Sequence, residues 1–301
     1  MDKSLLNPVL HQSLKALCGS QYMVLGFQDG KLKQFVNPKP KAPRHLSSLS
    51  LIQQAQGVSK LPDGILILNT SDKPILERRN AHLLPYPVVS YCTSANHLDW
   101  AIPDFIFEGW PEAGISSYRD LYERFESVNF AQWEHRLPYL YWSGTATNML
   151  RAACIEQYHH DPRVSLHLIR GSNNLTKSEV PRPIGYAPFD AVSHFKYLLD
   201  LPGNGYSGRA KLLLLTGGFL IRLPHQDGLL EYWESSCPVQ LYDVLQTVDH
   251  LKHALDQFDQ REAEFKERAR WAMLWARFAF HQRSVYLALN SILTEVLASS
   301  K

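Results

Sequence analysis

Residues 203–208 read Gly203-Asn204-Gly205-Tyr206-Ser207-Gly208 and run straight into Arg209-Ala210-Lys211. An apolar segment, 195–201, leads in, and four leucines, 212–215, lead out. A strand, a glycine turn and a helix start form an anion site. Glycines let backbone N–H groups come close, and the helix dipole favours negative charge. This turn adds a hydroxyl and two cations, so the ligand it suits is a nucleotide or nucleotide-sugar diphosphate. A second turn, Gly144-Thr145, precedes a helical stretch over 146–160 that carries Arg151. Guanidinium groups grip phosphate oxygens in bidentate fashion. Two helix N-termini aimed at one diphosphate would lessen the need for a metal.

Other patterns weigh less. Residues 203–208 satisfy G-x-G-x-x-G, which admits a nicotinamide-dependent oxidoreductase. Against that, Asp200 and Pro202 interrupt the preceding strand, and no acidic residue closes the next one. There is no Asp-x-Asp pair of the kind that holds a divalent cation on a diphosphate. His159-His160 and His250-x-x-His253 have no third ligand at a supporting spacing.

The elements that must carry these residues alternate. Strands are expected over 64–70, 87–91, 101–107, 139–144, 164–169, 195–201 and 218–224, with helices over 2–19, 117–127, 146–160, 243–257 and 260–297. That order predicts an α/β fold with parallel sheets in two blocks, 20–130 and 136–240. In such folds ligands sit at the carboxyl ends of strands, which draws attention to Asn69, Thr70, Asp72, Asp99 and Ser143. Residues 37–45 hold three prolines and read as a basic loop. Trp271, Trp275, Phe278 and Tyr286 recur at helical spacing and read as core packing, beside a basic face that includes Arg270 and Arg283.

The composition sets bounds. The 301 residues contain 31 basic and 29 acidic side chains, a net charge of +2, so bulk charge does not indicate a nucleic-acid partner. No apolar run reaches the length of a membrane span. The opening Met1-Asp2-Lys3-Ser4-Leu5-Leu6 lacks the pattern of a secretory signal, and four scattered cysteines do not form a disulfide framework. The expected location is cytoplasmic, with peripheral contact with the inner membrane surface as a further expectation.

An ordered set of motifs resembles glycosyltransferase family 90. It comprises Leu68-Asn69-Thr70-Ser71-Asp72, Leu98-Asp99-Trp100 through Phe107-Glu108-Gly109, and Trp142-Ser143-Gly144-Thr145 with Arg151. It continues with Gly205-Tyr206-Ser207-Gly208-Arg209 and Leu230-Glu231-Tyr232. The resemblance implies a GT-B-like architecture of two Rossmann-like lobes with the active site in the cleft between them. The expected division is 1–132 as the acceptor-side lobe, completed by a C-terminal helix over 284–301, and 133–283 as the nucleotide-sugar lobe. It implies inverting transfer from a UDP-sugar, with no cofactor and no essential metal, to a glycan or lipid-linked, lipopolysaccharide-type acceptor.

By the same resemblance Asp99 is the general base, and Thr145, Arg151, Ser207 and Arg209 contact the donor. Read from the residues themselves, Gly144, Gly205 and Tyr206 join the donor turns, Glu231 is expected on the ribose, and Asp72 and Glu108 are the rival carboxylates, expected as acceptor or secondary contacts. Ser143 stands where the family often has Arg, which removes one cation and keeps a non-catalytic nucleotide- or glycan-binding relative in view.

Overall fold

The computed structural model describes residues 7–128, 130–176, 180–185 and 187–299. Helix α1 (Pro8–Cys18) starts on Asn7, whose side chain accepts the Leu10 N–H. Strands β1 (Tyr22–Gln28) and β2 (Lys31–Val36) form an antiparallel hairpin. Its turn is Asp29-Gly30, with φ of 54° and 80°. Two positive φ values in a two-residue loop make a type I′ turn, whose twist suits a hairpin. Then come α2 (Pro43–Gln56), β3 (Gly64–Asn69), β4 (Val88–Ser90) and β5 (Trp100–Ala101). The sheet order is β2-β1-β3-β4-β5.

This corrects the expectation of a purely parallel first block. β1 pairs antiparallel with both β2 and β3, and only β3, β4 and β5 run parallel. The stretch 101–107 is a two-residue strand followed by a short 3-10 turn, because Pro103 withholds a ladder N–H. The proline-rich segment 37–45 ends inside α2, where Pro43 takes a position at the helix start that needs no N–H donor.

Both faces of this sheet are covered, and the residues alternate accordingly. Tyr22, Val24 and Ile67 join Leu10 and Leu14 of α1 in one apolar cluster. Met23, Leu25, Leu66 and Leu68 join Leu51 and Ile52 of α2 in another.

The chain continues through α3 (Tyr118–Glu126) to β6 (Leu137–Gly144), α4 (Met149–Tyr158), β7 (Val164–Leu168), β8 (Phe195–Asp200), α5 (Ala210–Leu214), β9 (Phe219–Arg222) and β10 (Asp243–Val244). These strands form a wholly parallel sheet in the order β10-β9-β8-β6-β7. Chain order reverses between β6 and β8. That is the topological switch point, where open α/β sheets leave a crevice beyond the strand ends.

Three helices close the chain: α6 (His250–Asp256), α7 (Glu262–Ala279) and α8 (Gln282–Ala298). α8 returns to the first sheet, where the Asn290 amide donates to the carbonyls of Ala55 and Ser59. Leu289, Leu293 and Leu297 share the cluster of α2 and β3.

The aromatic stripe divides: Trp275 on α7 and Tyr286 on α8 pack against the core as expected, whereas Trp271 and Phe278 do not. Trp271 is 55% and Phe278 77% exposed, because Ala269, Ala272, Met273 and Ala276 form the inner face. Among the described residues no helix is long and apolar enough to cross a membrane.

Candidate active site

A cleft of about 510 Å³ opens at the switch point. Its walls include Ser143, Gly144 and Thr145 after β6, Arg151 on α4, the loop from Gly203 to Arg209 after β8, and Arg44 and Asp72 from the first half of the chain. Asn148 fixes the first wall to the second. Its side chain accepts the Arg151 N–H at the start of α4, and its amide donates to the carbonyls of Pro202 and Gly203.

Arg151 and Arg209 are the chemical centre of these walls. Arg151 donates to the carbonyls of Thr145 and Leu201, at 3.1 and 2.7 Å. Arg209 donates to the Ser143 carbonyl. Their charged carbons lie 5.7 and 5.5 Å from the Trp142 ring centre, a cation–π arrangement that offsets part of the desolvation. Arg151 Nε and Arg209 Nη2 are buried without a hydrogen-bond partner, and among the described residues neither guanidinium has a carboxylate within 4 Å. Burial, and then the neighbouring Arg209, push the Arg151 cation below its ordinary pKa; burial does the same to Arg209. The Asp200 carboxylate, farther than 4 Å away, offsets part of this at both arginines.

Beneath this wall lies a buried polar layer. Lys211 Nζ is wholly buried, 2.9 Å from Asp104 and 2.5 Å from Glu231. The Tyr206 hydroxyl donates to Asp104 at 2.8 Å. Ser207 lines the cleft with its hydroxyl given inward to Asp200, which also takes Arg222 Nε at 3.1 Å. Burial, with Asp104 close by, pushes the Glu231 carboxyl up to about 8 against the pull of Lys211. Glu231 does not line the cleft, where a ribose contact was expected of it. It is the hydrogen-bond partner of Lys211 under the loop.

Asp99, the expected base, also lies outside the cleft lining. It is 4% exposed. Its two oxygens accept the backbone N–H groups of Ile75 and Leu76 and the Ser90 hydroxyl. Asn69 pins the other end of the same loop by donating to the Lys73 carbonyl and to Ser90. Asp99 thus shapes the bend that presents Asp72. Asp72 itself faces the cleft, 2.6 Å from Arg44. Glu108 is half-buried, raised by burial, and likewise absent from the cleft walls.

Gly205 explains how the two halves of the site approach. A Cβ there would lie 1.7 Å from the Asp72 carbonyl oxygen. Only glycine permits the contact, and the Tyr206 N–H donates to that same oxygen at 3.3 Å. The glycine motif therefore meets protein backbone at its second glycine. It also follows β8, the third strand of its sheet in chain order, and leads into a helix of only five residues. A dinucleotide fingerprint belongs after the first strand and opens a full crossover helix. The expected second helix dipole is accordingly replaced by side-chain charge.

Arg44 is a charged cleft residue that the sequence reading missed. Its guanidinium stacks 4.6 Å from the Phe105 ring centre and holds Asp72. The available signal was Pro43, which opens α2 and places Arg44 in its first turn. Among the described residues no three His, Cys, Asp or Glu side chains gather as a metal site.

No curated protein matches the sequence at a significant level. A family model described as glycosyl transferase family 90 matches residues 44–296, which take in the three parallel strands of the first sheet, the whole second sheet and every wall of the cleft. The chain is a glycosyltransferase and belongs to family 90.

Proposed function

We propose that the chain moves a sugar from a UDP-sugar to a hydroxyl of a glycan or lipopolysaccharide-type acceptor, inverting the anomeric carbon and needing no metal. The observation that carries this reading is the pair Arg151 and Arg209, desolvated at the switch point with no carboxylate partner among the described residues. A diphosphate supplies the missing charge through bidentate bonds. As the sugar–phosphate bond breaks, its electron pair leaves on the terminal phosphate of UDP. Two preset guanidiniums stabilise that charge in the transition state. Gly144, Thr145 and Tyr206 complete the donor wall.

Asp72 is the base in this reading. Its carboxylate faces the cleft, whereas every oxygen of Asp99 is already bonded. Asp72 takes the acceptor O–H proton while the oxygen forms its new bond to the anomeric carbon. Arg44 orients the carboxylate.

Thermal unfolding tests the donor. At a hundred times its dissociation constant, UDP should stabilise the folded chain by about 2.7 kcal/mol, and NAD should do nothing. A shift with NAD alone would overturn the reading. UDP binding without turnover of any UDP-sugar would leave a nucleotide-binding relative.

A further inference from the structure

We infer that the acceptor carries an anionic substituent, a phosphate or a carboxylate, held in a second hollow beside the Asp72 loop. The inference rests on the glycosyl-transfer reading above. The hollow encloses about 840 Å³ and is lined by Lys73, Glu77, Arg78, Arg79 and His97, with Asp227 across from them. It shares no lining residue with the cleft, yet the two adjoin along one short bend: Asp72 lines the cleft, while Lys73 and Pro74 line the hollow. An inverting displacement needs acceptor and diphosphate on opposite sides of the transferred sugar. The hollow adjoins the Asp72 bend and includes neither Arg151 nor Arg209, so an acceptor group held there does not compete with the diphosphate for the arginines.

The charges of the hollow select the class. Lys73 meets Asp227 at 3.3 Å, and Arg79 meets Glu77. These are exposed pairs, weakly held and open to exchange with a ligand anion. Arg78 is the cation in excess, with no carboxylate within 4 Å among the described residues. It is also the one held in place. Its Nε donates to the Ala95 carbonyl at 2.8 Å, and its backbone N–H donates to Asn96 at 3.0 Å. A guanidinium fixed at its root presents a planar fork that matches phosphate or carboxylate. His97, held by Ser94 at 2.8 Å, adds a polar nitrogen. No Trp, Tyr or Phe lines the hollow, so it offers charge where a neutral sugar would use an aromatic stacking face.

The test is calorimetric titration of the full chain, saturated with UDP, at low salt. The probes are glucose, glucose 6-phosphate and glucuronate. At least one charged probe should bind tenfold or more tightly than glucose, and the ranking of the two tells phosphate from carboxylate. Arg78→Glu should bring the charged probe down to the level of glucose, with UDP affinity held within twofold as the check on folding. Equal binding of all three probes would overturn the inference, as would charged-probe binding indifferent to both Arg78→Glu and Arg79→Glu. If UDP fails to bind the unaltered chain, the donor reading falls, and the Arg78→Glu comparison still decides the hollow.

Discussion

Arg209 and Lys211 stand two residues apart and meet opposite electrostatic surroundings. Lys211 is enclosed by Asp104 and Glu231, and Arg222 below it by Asp200 and Glu234. Arg209 and Arg151 are half-buried, held by carbonyls and an indole ring, with no carboxylate within 4 Å among the described residues and Asp200 acting on both from farther off. A buried charge without a partner is costly. Arg136 also has buried guanidinium nitrogens and no carboxylate within 4 Å among the described residues, but away from the cleft; Arg151 and Arg209 are the two such cations that line it. The two aspartates repeat the contrast. Asp99 has every need met within the chain, while Asp72 keeps a face on the cleft.

The sharpest way to break this contrast is to alter both aspartates. Asp72→Asn should cut turnover by about 10²–10⁴-fold, the usual worth of a general base, and leave UDP binding intact. Asp99→Asn should act through the fold, since its amide puts a donor opposite the N–H of Ile75 or Leu76. A loss of about 1–3 kcal/mol in urea unfolding is expected. Full activity in Asp72→Asn with none in a stably folded Asp99→Asn would reverse the assignment.

Lys211→Met should lower stability by about 3–5 kcal/mol, because it strands two buried carboxyl groups. The same layer sets a pH dependence. Glu231 titrates near 8 when folded, against an ordinary value of 4.5. Its contribution to stability is therefore complete below about 4.5 and is lost as the pH rises through about 8. Melting temperatures between pH 5 and 8 should fall in the unaltered chain and fall less in Glu231→Gln. A flat profile would mean that Glu231 is ionised throughout.

What was legible in the sequence follows the same division. The donor wall was readable because glycines, a hydroxyl and arginines at strand ends announce themselves locally. Arg151, Arg209, Gly144 and Thr145 do line one cleft. The roles of Asp99, Glu231 and Lys211 were not readable. Each depends on which backbone groups or opposite charges the fold brings near, and their partners lie 9 to 107 residues away. The first sheet was misjudged for a similar reason: its parallel half is spelled by apolar runs, but its antiparallel half hangs on one Asp29-Gly30 turn.

Arg209→Ala sharpens the contrast at its centre. Charge-assisted hydrogen bonds contribute about 1.5–3 kcal/mol, so UDP affinity should fall by one to two powers of ten. Stability without ligand should hold or rise, because a desolvated, unpaired cation has been removed. The same substitution at Arg222 should lower stability instead, since Asp200 and Glu234 would lose their partner. If Arg209→Ala destabilised the empty protein as Arg222→Ala does, the division into unpaired and satisfied charges would fail.

The smallest effect expected is on α7, where the contrast concerns apolar side chains. Trp271, Leu274 and Phe278 share a helical stripe, as core residues do, but the helix has two apolar faces. The inner one, rich in alanine, lets α7 lie close to the sheet, with Phe265 stacked on Phe219 at 4.4 Å between ring centres. The bulky residues are left facing outward. Phe278→Ser should then change unfolding by no more than about 0.5 kcal/mol. Phe265→Ala should cost about 3–5 kcal/mol, because it opens a cavity in a packed core. A comparable loss from Phe278→Ser would show that its ring is covered in solution, and the exposed stripe would have to be redrawn as an interface.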